Sequence, residues 1–337
     1  MDRDSPRVSH PLKSCSISND WTFRGIEATV MENHELRVVV LPGKGTDISE
    51  LVYKPLNLNV LFRNSWGPRS PRLFPNVSPH SSTFRDYTGG GWSDILPNAG
   101  EPCEFRGARF GLHDETPLLT WSSRIEEQSS EKVSARFLVG LNKYPLTVNK
   151  LMSLDADNRL TITETVENES QERLPLSWLV HPTFSTAFAD GSAPLELSAT
   201  NISRMDDREK RTWPFPRFLD SDGVERDVRS IPALDTSLDS TLVLDGLKEG
   251  RYSIANKTLG LRFTLSWDTD VFPYLWYYRS LNGRGYPYYG RSRFIALEPC
   301  TSRSSGLATQ SSSDDALFLE GGKSVTTSIV ASLDANT

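Results

Sequence analysis

Residues 160–166, Leu160-Thr161-Ile162-Thr163-Glu164-Thr165-Val166, alternate apolar and polar side chains, with Glu164 the one departure. Successive side chains of an extended chain point to opposite sides, so Leu160, Ile162 and Val166 share one face and the three threonines share the other. The pattern predicts a half-buried antiparallel strand. Outward from it, β-branched or aromatic runs recur at 35–41, 133–139, 146–154, 173–181, 261–267, 293–297 and 324–333. No long segment carries a 3.6-residue apolar repeat, and 21 prolines and 22 glycines punctuate the chain. The expectation is all-β: one large, mostly antiparallel β-sandwich over residues 1–337, with few short helices.

Some stretches stand outside this pattern. Residues 66–111 are rich in Pro, Ser and Gly and too long for a hairpin connection, so they are expected to run over a sheet face. Residues 205–230, broken by Pro214 and Pro216, form a second excursion. The polar residues 1–20 and the Ser-rich tract 301–315 are expected to be mobile.

Composition narrows the chemistry. The net charge is -6, with 37 Lys and Arg scattered rather than striped, which argues against nucleic acid as a partner. Three separated cysteines, Cys15, Cys103 and Cys300, suggest neither a disulfide framework nor a zinc knuckle. Neither an apolar run near twenty residues nor a leader-like start is visible, so a cytoplasmic protein without membrane contact is expected. Gly-rich phosphate loops, nucleophile elbows and H-E-x-x-H spacings are missing as well.

Acid and base candidates remain. His181 stands in Trp178-Leu179-Val180-His181-Pro182-Thr183-Phe184, where Pro182 is expected to end the strand. Glu298 follows Phe294-Ile295-Ala296-Leu297 and, partly buried, needs a partner; the plainer reading pairs it with Arg291 or Arg293. His113, after Phe110-Gly111-Leu112, has the plainer reading of a turn histidine bonded to Asp114. Aromatic residues crowd 267–289, Trp276 among them, and offer flat faces for the C–H side of a sugar, although packing accounts for many of them. The Asn282-Gly283-Arg284-Gly285 turn inside that crowd is either a hinge over a pocket or a hairpin turn.

Together these motifs resemble the aldose 1-epimerase (galactose mutarotase-like) superfamily, in separated pieces from about Glu35 to the last strand. Leu41-Pro42-Gly43-Lys44-Gly45 is similar to its early "LP-x-x-G" segment. Gly89-Gly90-Gly91-Trp92 through Pro97-Asn98 is similar to its Gly-rich loop with a Pro-Asn pair. The resemblance implies that His113 holds the sugar, that His181 in His181-Pro182-Thr183-Phe184 is the acid for the ring oxygen, and that Glu298 in Leu297-Glu298-Pro299 is the base. It also implies a sugar hydroxyl ligand at Asp239, ahead of Leu242-Val243-Leu244. Where many members carry an arginine, Ala99 stands here, so that contact is absent or passes to Arg106, Arg109 or another residue. The expected site is therefore His181 and Glu298 as catalysts, with His113, Asn98, Arg106, Asp239 and Trp276 on the substrate. The implied function is interconversion of the anomers of a small-molecule sugar without metal or cofactor, by a monomer or homodimer. The alternatives are a non-catalytic sugar-binding or regulatory protein on the same fold, and a related lyase or isomerase acting on an acidic sugar.

Overall fold

The computed structural model describes residues 14–70, 83–191, 193–205, 212–220, 223–232, 234–313 and 316–335. Two large antiparallel sheets of twelve and eight strands dominate, with only two short α-helices, Thr83–Tyr87 and Leu307–Gln310, among the described residues. The expected all-β sandwich is what the chain forms. None of those helices is long and apolar enough to cross a membrane.

The Leu160–Val166 alternation lies in the strand Arg159–Asn168, inside the eight-stranded sheet. Leu160, Ile162 and Val166 enter a core that also takes Val38, Trp92, Leu297 and other residues of the facing sheet. Glu164, the departure in the pattern, keeps the period: it is also buried on the core face. Its Oε1 lies 2.9 Å from Nζ of Lys150, which also pairs with Asp94 across the inter-sheet gap and donates to Thr46 Oγ1 at 2.9 Å. The Lys150 ammonium also lies 4.8 Å from the Trp121 ring centroid. A buried cation with carboxylates on both sheets thus fastens one layer to the other. Burial, then the nearby Asp94 charge, pushes the Glu164 carboxyl up to about 8.

At the middle of the twelve-stranded sheet, the strands Trp92–Ile95, Leu179–Ser185, Arg293–Cys300, Tyr274–Leu281 and Leu238–Asp245 lie side by side in that order. Here the excursion expected for 66–111 is corrected in part, because Trp92–Ile95 is a fully buried strand of the sheet. Pro182 does not end its strand, which runs on to Ser185; it sits opposite Trp92, inside the ladder. In 205–230, the described residues form short paired strands, Arg217–Leu219 with Glu225–Asp227.

The described residues of the tract 301–315 are packed against the rest of the fold. Thr301, Ser302, Leu307 and Gln310 are buried, and the segment is tied down by Thr301 donating to Leu176 O (2.9 Å) and by Trp276 donating to Ser302 O (3.0 Å). Its serines are spent on internal hydrogen bonds, which composition alone does not reveal. Residues 314–315 and 1–13 lie outside the described residues, while residues 16–20 belong to the strand Ser16–Phe23.

Candidate functional site

The ladder decides which side chains meet. Leu179 faces Cys300 and Thr183 faces Ala296, so the same antiparallel register sets His181 across from Glu298. Glu298 faces Trp276 on its other side. Alternation then sends His181, Glu298 and Trp276 to one face of the sheet, opposite to the face that buries Val180 and Leu297 in the core. Above them lies a cavity of about 340 Å³, within the usual range for small-molecule sites.

Nε2 of His181 lies 3.3 Å from Oε1 of Glu298. The approach falls short of hydrogen-bond geometry, and that carboxylate oxygen, buried, has no hydrogen-bond partner. The expected arginine partners are elsewhere: Arg291 donates to Tyr288 O at 3.0 Å, and Arg293 donates to the carbonyls of Pro232 and Leu234. Burial without a cation pushes the Glu298 carboxyl well above the ordinary carboxylate range. Burial likewise lowers His181 to about 4, against a smaller opposing effect of its own carbonyl and Asp94. Burial thus disfavours the charged form of both groups.

His113 enters the same cavity from a loop in which it adopts a left-handed backbone (φ 50°), unusual for a side chain of this size. Two bonds to one residue hold it there: its N–H donates to Gly100 O (3.1 Å) and its Nδ1 accepts from Gly100 N–H (3.0 Å). An accepting Nδ1 fixes the neutral tautomer with the proton on Nε2, leaving a donor for a ligand oxygen. Burial, then the neighbouring His181, holds its pKa well below the ordinary value. The two imidazole rings meet edge to face, 5.3 Å between centroids, with Phe84 beside both. Asp114 is not its partner; that carboxylate accepts from Gly111 N (2.8 Å) and Glu115 N (3.0 Å).

Asp239 and Trp276 line the cavity as expected. Asp239 Oδ2 accepts from the Tyr278 hydroxyl at 3.3 Å. Asn98 does not line it. The side chain is fully buried, with Nδ2 donating to Glu101 O (3.1 Å) and Gly111 O (2.7 Å), and Oδ1 accepting from Leu307 N (2.7 Å). It clamps the loops that carry Gly100 and His113. Arg106 is also displaced from its expected role: it sits in an exposed turn between the strands Cys103–Phe105 and Ala108–Phe110, paired with Glu172. Arg109 is exposed and 3.5 Å from Glu104.

Among the described residues, the cations of the cavity are Arg85, from the helix Thr83–Tyr87, and Arg284, from the loop after the strand Tyr274–Leu281. Arg85 was not legible in the sequence: a five-residue helix is too short to show a period, and it stands in the stretch least regular in composition. No group of three or more His, Cys, Asp or Glu able to hold a metal exists among the described residues.

Residues 23–333 match the family described as "Domain of unknown function (DUF4432)", and the chain belongs to that family. No curated protein matches it. Among solved structures, a protein of Klebsiella pneumoniae described as a "putative aldose 1-epimerase" superposes with a TM-score of 0.74 at 13% identity, over 94% of this chain and 82% of that one. A galactose mutarotase-like protein of Clostridium acetobutylicum gives a TM-score of 0.69 at 12% identity, over 96% and 99%. One of Lactobacillus casei gives 0.61 at 15%, over 91% and 100%. The fold is therefore that of the galactose mutarotase-like proteins.

Proposed function

We propose that this protein is an aldose 1-epimerase, opening and reclosing the cyclic hemiacetal of an aldose so that its α and β anomers interconvert. The observation that carries this reading is the His181–Glu298 approach of 3.3 Å at a cavity, with no cation paired to the carboxylate among the described residues. Hemiacetal opening only relocates protons, and one acid facing one base suffices.

The reacting forms are the Glu298 carboxylate and the His181 imidazolium. Glu298 takes the proton of the anomeric hydroxyl while His181 protonates the ring oxygen, and the ring opens to the aldehyde. Rotation about C1–C2 presents the other carbonyl face; the ring hydroxyl closes on it as the proton transfers reverse. His113 donates from Nε2 to the ring-oxygen region and orients the sugar, and the faces of Trp276 and Tyr278 carry its C–H surface. The chemistry calls for no metal or cofactor.

Saturation-transfer NMR of anomer exchange over a panel of aldoses tests the reading. Exchange by the wild type and its loss in Glu298→Gln is the expected result. Binding without exchange in the wild type would instead make the protein a sugar-binding or regulatory member of the fold.

A further inference from the structure

The acid–base pair occupies one end of a longer site. Along the strand Tyr274–Leu281, Trp276 faces Glu298, whereas Ser280, four residues further, faces Asp239. That offset is ~13 Å at ~3.3 Å per residue, more than a single pyranose spans. The far end is floored by Phe294, stacked on Phe62 at 4.4 Å and edged by Tyr278 and Tyr288 at 5.6 and 5.5 Å. Above this floor the mouth is closed by two segments distant in sequence. The Tyr286 hydroxyl donates to Asp86, joining the 282–290 loop to the helix Thr83–Tyr87. Arg85 and Arg284, carried by the two joined segments, line the same cavity.

Neither Arg85 nor Arg284 is hydrogen-bonded or ion-paired among the described residues. The contrast with the rest of the molecule is informative, because Arg279 and Arg226 share Asp220, and Arg37 and Arg63 share Glu50. Asp239, the carboxylate of the far end, accepts from Tyr278, and the Arg85 charge acts on it without an ion pair. Gly283 leaves no room beside it, since a Cβ there would lie 2.8 Å from Asp239 Oδ2, so the loop carrying Arg284 packs directly on the site.

We infer that the substrate is an anionic sugar, bearing a phosphate or carboxylate at the end remote from its anomeric carbon, and that Arg85 and Arg284 bind that group. The planar guanidinium fork suits either oxyanion, and a partly closed mouth strengthens charge-assisted bonds. The inference takes the orientation of the sugar from the epimerase reading, but its test in binding does not depend on turnover.

Calorimetric titration with a neutral aldohexose, its 6-phosphate and the corresponding hexuronate, on the wild type, Arg85→Gln, Arg284→Gln and the double variant, tests it. Anomer exchange is followed on the same samples. The wild type is expected to bind one anionic form at least ~10-fold tighter than the neutral sugar, each single variant to narrow that ratio by ~3-fold, and the double variant to erase it. Which arm wins distinguishes phosphate from carboxylate. Equal or tighter binding of the neutral sugar, no binding of any anionic form, or a ratio unchanged in the double variant would overturn the inference. Anionic preference without exchange would sink the epimerase reading and leave this one standing; exchange with neutral sugar at equal affinity would do the reverse.

Discussion

Two buried charge clusters lie on opposite faces of the same sheet and have been given opposite partners. On the core face, Lys150 stands between Asp94 and Glu164, cation against carboxylates. On the cavity face, two strands over from Asp94, Glu298 has among the described residues only an imidazole that burial keeps neutral. Both clusters cost desolvation energy. The first recovers it by fastening two sheets; the second does not, and a carboxylate left uncompensated beside a cavity is available for proton transfer. What distinguishes the two clusters is the cation present in one and missing among the described residues around the other, rather than depth of burial, which both share.

The largest expected effect is on the cavity side. Glu298→Gln should reduce anomer exchange by ~10²–10⁴ with the fold intact by circular dichroism. Retained exchange would erase the distinction just drawn. Lys150→Met should act on the other side, lowering stability in urea by ~3–5 kcal/mol because the buried Asp94 carboxylate loses its cation. A cost below ~1 kcal/mol would mean that the core cluster fastens nothing.

The pH dependence sharpens the contrast. Exchange requires the one-proton state of the pair. Below about 4 His181 gains a proton while Glu298 still holds its own, and at high pH Glu298 loses its proton and the pair is empty. A bell-shaped kcat/KM is expected, falling roughly tenfold per pH unit on the acid limb. A flat profile from pH 3 to 5 would contradict the assignment of His181. For the core cluster the linkage is with stability. Glu164 titrates at about 8 when folded against an ordinary 4.5, so the stability it contributes is complete below pH 4.5 and is lost as pH rises toward 8. Urea titrations of Glu164→Gln across that window should show a slope flatter by on the order of 1 kcal/mol per pH unit. The smallest effect belongs to Arg106→Ala, which breaks an exposed pair with Glu172 and should change stability by less than ~1 kcal/mol and exchange not at all.

Much of this arrangement was readable before any coordinates. The two-residue period of Leu160–Val166 held even at Glu164, whose polarity looked like a lapse and proved to be a core ion pair. His113, His181 and Glu298 could be singled out because each interrupts an apolar run or follows a glycine turn. Their meeting depends on register, and register is a property of paired strands rather than of any one of them. Asn98 and Arg106 were misplaced for the same reason: a Pro-Asn pair or a nearby arginine gives a position in the chain and no direction for the side chain. Arg85 left no signal, because its place in the site comes from the short helix held to the 282–290 loop by Tyr286 and Asp86.

By itself, then, the order of residues determined the strands, their buried faces and the residue types able to move a proton, since these follow from local alternation and side-chain chemistry. Only the tertiary structure decided which charges would be paired and which left bare, because compensation is set by what the opposite sheet or a distant loop brings within about 4 Å.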